Sequence, residues 1–124
     1  MVKIISIGIG GFLGAITRYL LAGEVEKYFK STFPFGTLVV NLIGCFLLGF
    51  IFSLTLNREM INPTIRTAIT TGFLGALTTF STFTYETLAL LEGENLFLAL
   101  SNVVISVVLG LLMGWFGIIT ARII

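Results

Sequence analysis

Long apolar runs alternate along this chain with short clusters of charge. Four runs are long enough to cross a hydrocarbon core, which takes about 20 apolar residues: roughly Ile4 to Ala22, Phe35 to Leu56, Thr64 to Leu91 and Leu96 to Thr120. Nearly all the charge falls between them, in Glu24, Glu26, Lys27 and Lys30, then Arg58 and Glu59, then Glu92 and Glu94. This pattern predicts an all-α membrane protein of four transmembrane helices, one domain over residues 1–124, with no loop large enough for a soluble unit.

The third run is unlike the others. From Gly72 to Phe83 it reads Gly-Phe-Leu-Gly-Ala-Leu-Thr-Thr-Phe-Ser-Thr-Phe, glycine-broken and rich in hydroxyls. Unpaired backbone and hydroxyl groups are costly in hydrocarbon unless they line a cavity or bind something. A third helix broken in mid-membrane, at a permeation or ion site, is therefore expected.

Helical spacing sorts the polar residues into stripes. After the break, Thr79, Thr82 and Glu86 share one face of the third span, with Phe80, Phe83 and Thr87 on the adjoining one. The second span carries Thr37, Asn41 and Cys45 at i, i+4 spacing, and the fourth carries Asn102, Ser106 and Gly110. Hydroxyls and amides can donate to an anion, and an aromatic ring is positive at its edge, so Phe80 and Phe83 could face a small anion. Each stripe also has a plainer reading. Phe residues at i, i+3 serve packing, and Asn41 would suit an interhelical hydrogen bond. Arg18 either snorkels to the interface or forms an anion-attracting vestibule. Glu86, odd on an anion path, either carries a proton, accepts from a neighbouring hydroxyl, or lies where a pore meets water.

Composition narrows the class. The chain is 56% hydrophobic and only 10% charged, against about 25% charged in soluble domains. A net charge of +1 and the absence of histidine argue against nucleic acid as a partner and against a histidine-held metal. The chain is not expected to be an enzyme. Lys3 before the first run resembles a signal-peptide start, but Arg18 within the run and the lack of a small-residue cleavage site favour a retained span. The single Cys45 says nothing about disulfides.

With four spans both termini share a side, which collects Lys3, Arg58, Arg66 and Arg122, against Arg18, Lys27 and Lys30 opposite. Four against three gives no decisive bias. Either the chain inserts both ways round and forms an antiparallel homodimer about an in-plane twofold axis, or one or two residues near a boundary are miscounted and the topology is fixed. Four short helices enclose little volume, so assembly is expected. Gly10 with Gly14, and Gly110 with Gly114, are GxxxG pairs suited to close helix packing. Gly11-Phe12-Leu13-Gly14-Ala15 recurs as Gly72-Phe73-Leu74-Gly75-Ala76, which is either a trace of a duplicated hairpin or the chance self-similarity of apolar sequence.

The stretches Gly11 to Tyr19, Pro34 to Gly44 and Gly72 to Phe83 together resemble the Fluc (CrcB) family of fluoride channels, and the resemblance covers essentially the whole chain. It implies a passive, fluoride-selective channel of the bacterial inner (plasma) membrane. Such a channel exports toxic fluoride and is built as a lipid-embedded, dual-topology antiparallel homodimer with two pores. By that resemblance Phe80 and Phe83 are pore phenylalanines, Asn41 is the polar group of the second helix, and Ser81 and Thr82 are hydroxyls near the break. Ser106 matches a polar-track serine, while Asn102 and Gly110 stand where a tyrosine and a serine are often found. Thr37, on the Asn41 stripe, joins the candidate fluoride-binding set, and Arg18 is the candidate vestibule. The resemblance also implies a structural sodium ion at the dimer centre, on the backbone carbonyls of Gly75 and Thr78. Two rival classes are a four-helix proton-coupled multidrug exporter, which would need a carboxylate in the first span, and a non-transporting assembly protein.

Overall fold

The computed structural model describes the chain apart from Glu59 and Met60, and the side chains of residues 56–58 also lie outside the described residues. The expected charge pair Arg58 and Glu59 falls there. The described residues form six α-helices in order: α1 (Val2–Phe29), α2 (Phe35–Arg58), α3 (Pro63–Thr67), α4 (Gly75–Leu77), α5 (Phe80–Glu92) and α6 (Leu96–Ile123), with a π-helical stretch, Ala68–Leu74, joining α3 to α4. Among the described residues there is no strand. Val2–Phe29, Phe35–Thr55 and Leu96–Ile123 are each long and apolar enough to cross a membrane. The run from α3 to α5 corresponds to the third apolar run of the sequence, and it is divided into two helical pieces at Thr78 and Thr79.

The first helix is longer than its apolar run. It continues to Phe29, so Glu24, Glu26 and Lys27, read from the sequence as a loop, are helical. A rise of about 1.5 Å per residue makes 28 residues longer than the hydrocarbon is thick. The last turns of α1 carry charge, including an exposed Lys27–Glu24 ion pair of 2.6 Å one turn apart, as suits a helix end outside hydrocarbon. Lys30 ends the helix in the left-handed region, φ 45°, and its N–H returns to the Glu26 carbonyl.

Glycine does not break the third span. Gly75 is helical at φ −63° and ψ −30°, and no described glycine has positive φ. The chain leaves the helix at Thr78 (φ −84°, ψ 155°) and Thr79 (φ −151°, ψ 118°). The glycines instead permit close approach. A Cβ at Gly10 or Gly14 would collide with the carbonyl oxygens of Ala68 and Phe73, and one at Gly72 would lie 2.6 Å from the Ile7 carbonyl. Helix α1 thus lies backbone to backbone against the π-helical stretch. Between α2 and α6 the tight points are Gly49, against the Gly114 carbonyl, and Gly117, against that of Phe46. Gly110 has only the Cys45 sulfur near, at 3.6 Å, so the pair expected at Gly110 and Gly114 is displaced by about one turn. The sequence echo between Gly11–Ala15 and Gly72–Ala76 does not extend to shape, since the first lies within an uninterrupted α-helix and the second crosses from the π-helical stretch into α4.

A small core of Val40, Leu74 and Leu77, with Leu21, Ile51 and Ile69 against it, clamps the first half of the broken span. Large apolar side chains such as Phe12, Leu20, Phe97 and Leu111 point outward, as suits a surface bathed in lipid, where burial of apolar area no longer drives packing.

Candidate functional site

Interrupting a helix in hydrocarbon frees backbone groups that need partners, and here one side chain supplies two. Asn41 of α2 accepts from the Thr79 N–H at 2.8 Å through Oδ1 and donates from Nδ2 to the Thr79 carbonyl at 3.2 Å. Thr79, itself buried, caps α5: its Oγ1 accepts from the Thr82 N–H at 3.2 Å and donates to Thr82 Oγ1 at 3.0 Å. Ser81 Oγ lies 3.2 Å from the same Thr79 hydroxyl.

These bonds have a consequence upstream. In an unbroken helix the Thr79 N–H would close onto the Gly75 carbonyl and the Thr82 N–H onto the Thr78 carbonyl. Both donors are diverted, to Asn41 and to Thr79 Oγ1. The Gly75 and Thr78 carbonyls thereby lose their ordinary i+4 helical donors, and a carbonyl oxygen is the donor type that suits a hard cation.

Thr79 stands between two cavities. One, of about 340 Å³, is lined by Asn41, Cys45, Thr79, Phe80, Phe83 and Ser106, with Gly75 and Thr78 in its wall. The other, of about 240 Å³, is lined by Arg18, Glu26, Thr37, Thr79, Thr82 and Glu86. The two stripes read on the third span therefore face two different spaces, the phenylalanines one and the Thr82–Glu86 face the other. Thr37, buried, donates to Glu86 Oε1 at 2.7 Å, while the buried Oε2 has no hydrogen-bond partner among the described residues. Of the three readings open for Glu86, acceptance from a hydroxyl is what the geometry shows.

The candidate residues are not all equally enclosed. Asn41 makes the interhelical bond and also borders the first cavity, so its two readings coexist. The rings of Phe80 and Phe83 lie 5.6 Å apart at 40°. Phe80 is 80% exposed on the single chain, and Ser81 and Thr82 are exposed beside it. Gly110 is in neither space; it borders a third cavity of about 580 Å³ with Cys45, Gly49, Gly114 and Arg122. Asn102 is 1% exposed, its Nδ2 donating to Thr87 Oγ1 at 2.9 Å and its Oδ1 accepting from Ser106 at 3.4 Å. The sequence reading missed Thr79 as the pivot and Thr87 as a partner. A buried Asn in each neighbouring span was the available signal, since an amide in hydrocarbon must find partners.

Fold and site define a multi-pass membrane protein with a polar helix break between two open clefts. The profile of CrcB-like protein, Camphor Resistance (CrcB), matches residues 5–118. The chain is 50% identical over 122 residues, 98% of both chains, to the fluoride-specific ion channel FluC of Citrifermentans bemidjiense. Over the same share it is 48% identical to the protein so named from Geotalea daltonii and 47% to that from Geobacter sulfurreducens. The chain belongs to the CrcB family.

Proposed function

We propose that this protein is a passive, fluoride-selective channel that lets fluoride leave the cytoplasm. The observation that carries the reading is the near full-length identity of about half to proteins named fluoride-specific ion channels. The site suits it. Fluoride is a small, strongly hydrogen-bonding anion, and the first cavity offers an amide, hydroxyls and two aromatic rings in a mostly apolar wall. A proton-coupled exporter would use a carboxylate in the middle of α1, where no acid precedes Glu24.

The working unit in this reading is an antiparallel homodimer. Phe80, Ser81 and Thr82 are exposed on one chain beside the break, and polar groups facing lipid would need more partners than the bonds of Ser81 and Thr82 to Thr79 supply. A second copy, inverted about a twofold axis in the membrane plane, would cover them. A sodium ion on that axis would be held by the Gly75 and Thr78 carbonyls of both copies and would supply positive charge that keeps the two breaks in register.

Purified protein in liposomes loaded with potassium fluoride tests the function. Rapid fluoride loss is expected when a potassium ionophore is added, with no requirement for a proton carrier; no loss, or loss only with proton exchange, sinks the reading. Phe80→Ile and Phe83→Ile keep apolar volume but remove the positive ring edge. Each is expected to lower the flux by more than tenfold while the protein stays assembled, and normal flux from both would make the rings packing groups. Adding two lysines after Arg58 should fix one orientation and depress flux, with rescue by a partner biased the other way. Full activity from a chain inserted in one orientation alone would rule out the antiparallel dimer.

A further inference from the structure

A chain of hydrogen bonds leads from the first cavity into the contact between α5 and α6, and its direction is fixed by the groups themselves. Thr87 Oγ1 donates its one proton to the Phe83 carbonyl at 2.7 Å, so towards Asn102 it can only accept. The atom facing it at 2.9 Å must be the donor Nδ2. This turns Asn102 Oδ1 one helical turn along α6, towards Ser106 Oγ at 3.4 Å. A carbonyl oxygen has no proton, and Ser106 is the donor.

Ser106 borders the first cavity, yet its proton is directed to a residue that is 1% exposed. In that state the hydroxyl offers the cavity lone pairs, which repel an anion. The contact to Asn102 is long, since O–H···O bonds centre on about 2.7–2.8 Å, so an anion beside Ser106 can draw the proton away with little loss.

We infer that Asn102 is a positioning residue that competes with the permeating anion for the Ser106 proton and so sets how tightly the first cavity holds it, with Thr87 fixing the Asn102 amide. The inference rests on the channel reading above and assigns a purpose to an amide that touches no cavity described here. Conduction needs binding strong enough to admit the ion and weak enough to release it. A competing acceptor behind the hydroxyl weakens the hold without removing the donor.

Fluoride efflux measured over a range of internal fluoride concentrations tests this in wild type, Asn102→Leu, Thr87→Val, Ser106→Ala and the double variant Ser106→Ala/Asn102→Leu. With the competitor gone, Asn102→Leu is expected to lower the half-saturating fluoride concentration about two- to fivefold, the range set by a weak neutral hydrogen bond, and to lower the maximal flux as release slows. Thr87→Val, which releases the amide to turn its Nδ2 towards Ser106, is expected to shift half-saturation the same way and serves if Asn102→Leu fails to assemble. In the Ser106→Ala background the Asn102→Leu shift should vanish. An unchanged half-saturation with reduced maximal flux, or the same shift without Ser106, would overturn the inference and leave Asn102 as a strut between helices. Should wild type pass no fluoride at all, the functional reading fails, and the bond chain is judged by the ¹³Cγ resonance of Asn102. It is expected to differ between wild type and Ser106→Ala; identical shifts would overturn the proposed donor.

Discussion

Replacing Asn41 by Leu is expected to abolish fluoride flux and to take most of the protein's stability with it. The change removes both bonds that hold Thr79, leaving its N–H and its carbonyl without partners in a buried, water-poor place. Each orphaned group costs about 1–3 kcal/mol, and the sum is a large share of the 5–15 kcal/mol that is typical for a whole fold, by order of magnitude. Asn41→Asp separates clamp from conduction. Its carboxylate can still accept from the Thr79 N–H but has no proton for the Thr79 carbonyl, and it places negative charge on the wall of the first cavity. Flux should therefore fall in both variants, with thermal unfolding in detergent shifted further by Leu. If Asn41→Leu melts and conducts as wild type does, the break is held by something other than this amide.

The spans were legible because hydrocarbon imposes a single demand over about 20 residues, and apolar runs meet it visibly. The break was legible as a region but not as a residue. Glycine carries the helix-breaking expectation, yet in this chain Gly72 serves close packing, Gly75 stays helical, and the turn out of the helix falls on two threonines. Thr79 is held by Asn41, 38 positions away, as well as by its own cap of α5, and the distant half of that arrangement has no local pattern. The polar stripes follow from spacing only where the chain is helical: Thr79 lies in the extended break ahead of α5, and Gly110 borders a different cavity from Ser106. Their allotment to separate cavities depends on where α1 and α6 lie, so the cavity that Thr82 and Glu86 share with Arg18, and the one that Phe83 shares with Ser106, could not be read from α5 by itself. The extension of α1 through Glu24 and Lys27 was hidden for the opposite reason: hydropathy marks where lipid ends, not where a helix does.

Gly14→Val is expected to prevent assembly of the fold, whereas Gly8→Ala in the same helix should leave it intact. At Gly14 a Cβ meets the Phe73 carbonyl oxygen too closely, with the Phe73 carbonyl carbon at 2.9 Å and Ala76 Cβ at 3.1 Å. Two of these three atoms are backbone of the π-helical stretch and cannot turn aside, so α1 must move off and the core around Leu74 and Leu77 loses its cover. At Gly8 nothing lies within 4 Å. Alanine there removes backbone freedom from the unfolded chain and is expected to be neutral or to stabilise by about 0.5–1 kcal/mol. Gly110 separates motif from geometry: it belongs to a GxxxG pair, yet its nearest neighbour is the Cys45 sulfur at an ordinary contact distance. Gly110→Ala should be tolerated, while Gly117→Ala, facing the Phe46 carbonyl, should not. Melting temperature and elution volume in detergent read all four variants. Damage at Gly110 equal to that at Gly117 would mean that α2 and α6 meet along the sequence motif rather than along the surface seen here.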